Sequence, residues 1–84
     1  MYKISLKKSA EKDLDQINEP FISKIISEIE KLANNPRNEK VKKLVDRINE
    51  YRLTVGNYRI LFYINDTDKL ITIARVLHRK DAYK

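Results

Sequence analysis

The chain contains one glycine, and it lies inside YRLTVGNYRILFYI, residues 51–64. Gly-Asn between two runs of β-branched and aromatic residues predicts a two-residue hairpin loop, because the tight connection needs a residue that accepts positive φ. With Gly56 and Asn57 as the loop, Val55 lies opposite Tyr58, Thr54 opposite Arg59, Leu53 opposite Ile60 and Arg52 opposite Leu61. Side chains alternate along a strand. One face of the hairpin is then Tyr51, Leu53, Val55, Tyr58, Ile60, Phe62 and Ile64, apolar from end to end. The other is Arg52, Thr54, Arg59, Leu61 and Tyr63. A slip of one residue would exchange the faces.

The apolar face needs a cover, and the first 36 residues supply it. Tyr2, Ile4 and Leu6 alternate with Lys3 and Ser5, the period of a short strand over residues 2–6. Ser9 is placed to cap a helix from Ala10 to about Ile17. Asn18-Glu19-Pro20 interrupts it, with Pro20 in the first turn of a second helix. In that helix Ile22, Ile25, Ile26, Ile29, Leu32 and Ala33 form a wide apolar stripe. Asn34-Asn35-Pro36 ends it. Residues 36–50 predict a connector with one helical turn at most. Asp66-Thr67-Asp68 predicts a turn. LITIARVLH, residues 70–78, predicts a last strand that is apolar on both faces, as an interior strand should be. The expectation is one α+β domain over residues 1–84.

Several chemistries are poorly served by this composition. There is no Cys and a single His, so disulfides, thiolate metal sites and histidine-rich metal sites have no ligands. No apolar run is long enough to span a bilayer, so the expectation is a soluble, cytoplasmic protein without membrane contact. No Gly-rich loop is available for a nucleotide cofactor, and no small-molecule cofactor is expected. The net charge of +6 arises wholly from residues 36–84, since residues 1–35 carry equal numbers of Lys and acidic side chains. Such an excess suits a polyanion; it also suits a solvated, lysine-rich surface.

The Arg52/Thr54/Arg59 face carries two guanidinium groups and a hydroxyl, with the Tyr63 ring on the same side. That combination fits phosphate oxygens and stacked bases, and it equally describes an ordinary solvent-facing sheet. The closing segment RVLHRKDAYK brings His78, Arg79 and Tyr83 to one edge of the sheet. If these groups meet the arginine face, the set fits RNA cleavage by the substrate's own 2′-hydroxyl. That reaction needs a base, an acid and positive charge on the phosphate, and no metal. A neutral imidazole at His78 can accept a proton; a histidine at a strand end can also simply pack.

YRLTVGNYRILFYI followed by RVLHRKDAYK resembles the RelE branch of the RelE/ParE toxin superfamily, and Lys42-Lys43-Leu44, the helical hairpin and the opening strand agree with it. The resemblance implies an N-terminal strand and helical hairpin packed on a small, mainly antiparallel, curved β-sheet. It implies a ribosome-dependent endoribonuclease cleaving mRNA, neutralised by a cognate antitoxin. Carried over by position, Arg59 contacts the scissile phosphate, Arg79 stabilises the transition state or leaving group, and Tyr83 orients or stacks near the cleavage point. His78 stands where the family has His or Lys, and Arg52 where it has a basic strand residue. Thr54, Lys42, Lys43 and Tyr63 complete the expected substrate surface. Thr54 departs from the family pattern, which often places a second basic residue there; the base role would then move to His78, or catalysis would weaken. Two rivals stay open: a ParE-like poison of DNA gyrase, and a non-catalytic nucleic-acid-binding module.

Overall fold

The computed structural model describes residues 1–45 and 48–82. The hairpin forms with the expected register: Val55↔Tyr58, Thr54↔Arg59, Leu53↔Ile60 and Arg52↔Leu61 are Cα partners, joining β3 (Glu50–Val55) to β4 (Tyr58–Asn65). Gly56 has φ +56° while Asn57 is not in the positive-φ region, the sign pattern of a type II′ turn. A Cβ built at Gly56 would meet nothing within 4 Å. The cost of Gly56→Ala is therefore purely conformational, about 1–2 kcal/mol, and should lower the thermal midpoint by several degrees for a domain of this size.

The inner face is closed as the alternation requires. Leu53, Ile60 and Phe62 have no exposure and Tyr51, Val55 and Ile64 are buried, while Tyr58 is only half-buried. Two further strands extend the sheet on the other side of β4 and one on the near side of β3. The order is β1-β5-β4-β3-β2, with β1 (Lys3–Leu6) parallel to β5 (Leu70–His78) and the other pairs antiparallel. β5 is thus interior, as its two-sided apolarity indicates. Helices α1 (Lys8–Asp15) and α2 (Phe21–Lys31) contribute Ala10, Ile25 and Ile29, with Leu32 just beyond, to a core completed by Ile71, Ile73 and Val76. Each fully buried Ile or Leu contributes about 1.5–3 kcal/mol. Ile26, on the expected stripe, is left 43 % exposed because the stripe is wider than the contact. A final turn, α3 (Arg79–Ala82), follows β5 directly. No helix among the described residues is long and apolar enough to cross a membrane.

Three local expectations were wrong. Pro20 stands before α2 as its N-cap residue rather than in its first turn. The connector contains a strand, β2 (Val41–Lys43), paired with β3 through Val41↔Leu53, Lys42↔Arg52 and Lys43↔Tyr51. Its side chains show little β pattern because edge pairing is made by backbone groups. Ser9 does not cap α1, which starts at Lys8 after Lys7. Instead its hydroxyl donates to the Ala74 carbonyl at 2.7 Å. β1 pairs only with residues 70–73, so the later part of β5 lacks a strand neighbour on that side. α1 takes its place: Ser9 satisfies Ala74, and the Asp13 carboxylate accepts the Val76 N–H at 2.9 Å and the Arg75 guanidinium at 2.8 and 3.1 Å.

Carboxylates also fasten the periphery. Asp66 accepts Arg37 at 2.8 and 3.1 Å and the Tyr2 hydroxyl at 2.5 Å, and Arg37 also donates to the Tyr51 hydroxyl. The Arg37 bond, then the Tyr2 bond, hold the Asp66 carboxyl down at about 2. Glu28, buried on α2, is lowered chiefly by its 2.7 Å bond from Lys40, against the burial that raises it. At Asp13 burial pushes upward, yet the bonds from Arg75 and Val76 win and the group is lowered. All three shifts are downward. Their stabilisation is complete above the unfolded carboxylate values of about 3.9–4.3. It is lost as pH falls from there through the folded values, about 2 for Asp66. Thermal midpoints should therefore hold to about pH 4 and drop below it, and Glu28→Gln should flatten that acid limb in a pH series followed by circular dichroism.

Candidate functional site

The outer face of the hairpin becomes one wall of a cleft of about 340 Å³ beside the β2 side of β3. Arg52, Thr54 and Arg59 line it from the hairpin, Lys42 and Lys40 from β2 and its approach, and Lys24 from α2; Glu39 is its single acidic residue among the described ones. Lys42 enters because it is the cross-strand partner of Arg52. Lys40 is held in place by Glu28. Lys24, Lys42 and Arg52 make no ion pair among the described residues. The Arg52 Nε is buried and has no hydrogen-bond partner among the described residues. A buried donor left open costs about 1–3 kcal/mol, which an incoming anion would offset.

The hairpin tip gathers the rest. Arg59 folds back over it, its Nη1 donating to the carbonyls of Gly56 at 2.9 Å and Tyr58 at 3.0 Å. The Arg79 N–H donates to the Asn57 carbonyl at 2.6 Å, so α3 starts at the same turn. Arg79 itself is exposed there.

His78 reaches the tip on the other face. β5 follows Ile71 and Ile73 inward, but Phe62 pairs with Ile73 and Leu61 with Arg75, leaving Ala74 as an extra residue. This bulge shifts the alternation by one, so that Val76 is buried and His78 pairs with inward-facing Tyr58. The two rings meet edge-on with centroids 5.4 Å apart. The imidazole lines a separate pocket of about 310 Å³ with Asp13, Gln16, Tyr58, Arg75 and Asp81. Its Nδ1 accepts the Lys80 N–H at 3.3 Å.

The structure thus unites Lys42, Arg52, Thr54 and Arg59 in one cleft, and Arg79 joins Arg59 at the turn. It does not bring in Lys43, whose partner Tyr51 faces inward. Nor does it bring in Tyr63, toward the other end of β4, where Lys7 lies over its ring at 5.2 Å. Tyr83 lies outside the described residues. Lys24 and Lys40 were missed from sequence. Neither belongs to a local pattern, and the Glu28–Lys40 contact that fixes Lys40 spans twelve positions.

Comparison with known proteins gives the family. The model of the ParE toxin of type II toxin–antitoxin systems, parDE, matches residues 4–83. Among solved structures, a chain of the RelB–RelE antitoxin–toxin complex from Methanococcus jannaschii is 34 % identical, with 94 % of each chain covered and a TM-score of 0.78. A chain of the archaeal RelE–RelB complex from Pyrococcus horikoshii is 26 % identical, covering 93 % of this chain and 94 % of its own, with a TM-score of 0.81. A chain of the RelBE2 toxin–antitoxin complex from Mycobacterium tuberculosis is 25 % identical, covering 93 % and 98 %, with a TM-score of 0.82. A family match over nearly the whole length, joined to this fold and this likeness to RelE complexes, means that the chain belongs to the RelE/ParE superfamily of toxins of type II toxin–antitoxin systems.

Proposed function

We propose that this chain is the toxin of a toxin–antitoxin pair and a ribosome-dependent, metal-independent endoribonuclease that cleaves mRNA in the cytoplasm. The observation that carries the reading is the cleft in which Arg52, Arg59 and Lys42 converge while Arg52 Nε has no partner among the described residues. In the reaction the 2′-hydroxyl loses its proton to a base and its oxygen attacks phosphorus. The P–O5′ bond breaks, and the leaving oxygen takes a proton, giving a cyclic 2′,3′-phosphate and a 5′-hydroxyl. Arg59 and Arg52 bind the phosphate, and Arg79 faces the leaving oxygen from the turn. His78, on the other face of the sheet, is the proposed base. Tyr83 would stack on a base, with Thr54, Lys42, Lys43 and Tyr63 guiding the strand. The ribosome is needed to align the 2′-hydroxyl with the phosphate, since orientation supplies much of such a rate.

The RelE relatives are found in complexes with RelB, which supports an antitoxin partner here. A second reading, poisoning of DNA gyrase, is favoured by the ParE description of the matching family model. Inducible expression with mapping of transcript ends separates the two. The nuclease reading expects cuts within translated messages carrying the stated ends. Intact messages with gyrase-linked DNA breaks would replace it.

A further inference from the structure

The basic cleft does not stop at the sheet. Lys24, Val55 and Gly56 line it, and the same three residues line a second groove of about 160 Å³ on the α2 side of the hairpin tip. The partition between the two is the edge of β3, whose ladder to β2 ends with Thr54 N–H on the Lys40 carbonyl. Gly56 puts no side chain into the passage, and the space where its Cβ would stand is empty. The character of the wall changes along this path. On the sheet side it is cationic. On the α2 side it is apolar and aromatic, formed by Phe21, Ile25, Val55 and Tyr58. Phe21 is 53 % exposed although it begins a helix whose other large apolar groups mostly face the core. Its ring stands 6.0 Å from that of Tyr58, tilted by 45°.

An exposed aromatic ring next to a lysine without an ion pair among the described residues, continuous with the cationic cleft, has the parts of a nucleotide subsite. Single-stranded nucleic acids are held by cations that follow the backbone and rings on which bases stack. We infer that the RNA strand turns over the β3 edge at Gly56, with Lys24 holding the phosphate next to the one bound by Arg52 and Arg59, and Phe21 stacking the flanking base. The inference rests on the RNA-cleaving reading for its ligand class, and it adds a subsite on the helical hairpin. Charge favours this occupant: among the described residues Lys24 has no ion pair, and Glu39 is the one acidic residue on the path.

The test uses the full chain and a short single-stranded RNA, 2′-O-methylated throughout so that it resists cleavage, carrying 2-aminopurine as a stacking reporter. Wild type should quench the reporter and bind less tightly as salt rises. Lys24→Gln should reduce the slope of log affinity against log salt by about 0.7, the value for one phosphate contact on a single strand. Phe21→Leu keeps an apolar side chain at an exposed position. It should leave that slope unchanged, remove most of the quenching and weaken binding by about fivefold to a hundredfold. Lys12→Gln, on α1 away from both grooves, should behave as wild type. The subsite is overturned if wild type binds no such RNA at low salt, or if Lys24→Gln and Phe21→Leu match wild type. It is also overturned if Phe21→Leu weakens only the complex with an antitoxin, since the face would then serve a protein. A chain that binds as described but cuts no message would remove the nuclease reading and leave the subsite standing. A chain that cuts messages while both variants bind normally would remove the subsite alone.

Discussion

Arg59→Ala is expected to lower cleavage of translated mRNA by about a hundredfold to a thousandfold, with the fold kept. The guanidinium lines the cleft at the hairpin tip, and charge stabilisation of that kind, once ribosome and message close the site to water, is typically worth about 3–4 kcal/mol. The structural loss is smaller. Its partners are the Gly56 and Tyr58 carbonyls at the turn, where water can replace the guanidinium. Each such bond contributes about 0.5–1.5 kcal/mol, a loss of several degrees in thermal midpoint at most per bond. Arg59→Lys should fall between wild type and Arg59→Ala, because it keeps the charge and loses the planar fork. Primer extension on messages in a translating extract gives the rate, and circular dichroism gives the midpoint. Near-wild-type cleavage by a folded Arg59→Ala protein would take Arg59 out of the site.

His78→Gln should cost about a hundredfold or more if the imidazole moves the 2′-hydroxyl proton, the usual magnitude for general base catalysis. Geometry makes this a demanding test. Nδ1 accepts the Lys80 N–H, so the neutral ring in this arrangement carries its proton on Nε2. Work as a base through Nε2 needs that contact to break and the tautomer to change. The ring also lies edge-on against Tyr58, on the opposite face of the sheet from Arg59. A drop of less than about tenfold, well below the general-base range, would leave His78 as a packing partner of Tyr58 and an acceptor for the first turn of α3. Glutamine can still accept the Lys80 N–H, so a large loss would point to proton transfer rather than to that contact.

The parts of this protein legible in its sequence are those governed by local periods. A two-residue loop at Gly56-Asn57 fixes which residues of β3 and β4 oppose one another. With a period of two, that single choice assigns Arg52, Thr54 and Arg59 to one face and the core residues to the other. The i, i+3, i+4 spacing of isoleucines likewise fixes which side of α2 is buried. The family resemblance drew on the same segments, and the family match agrees with it.

What tertiary structure alone decided depends on neighbours far along the chain. β2 exists because β3 offers an unpaired edge, and Ser9 and Asp13 serve β5 because β1 ends too early to do so. Lys24 and Lys40 join the cleft only once α2 is folded against the hairpin. The decisive case is Ala74. Strict alternation from Ile71 and Ile73 would send His78 outward with Thr72, toward the side of Arg59. One extra residue opposite Leu61 and Phe62 reverses that for the rest of the strand. Nothing in LITIARVLH marks Ala74 as that residue, because a bulge answers to how two strands and the α1 side chains beside them fit together, and that fit is absent until the chain has folded.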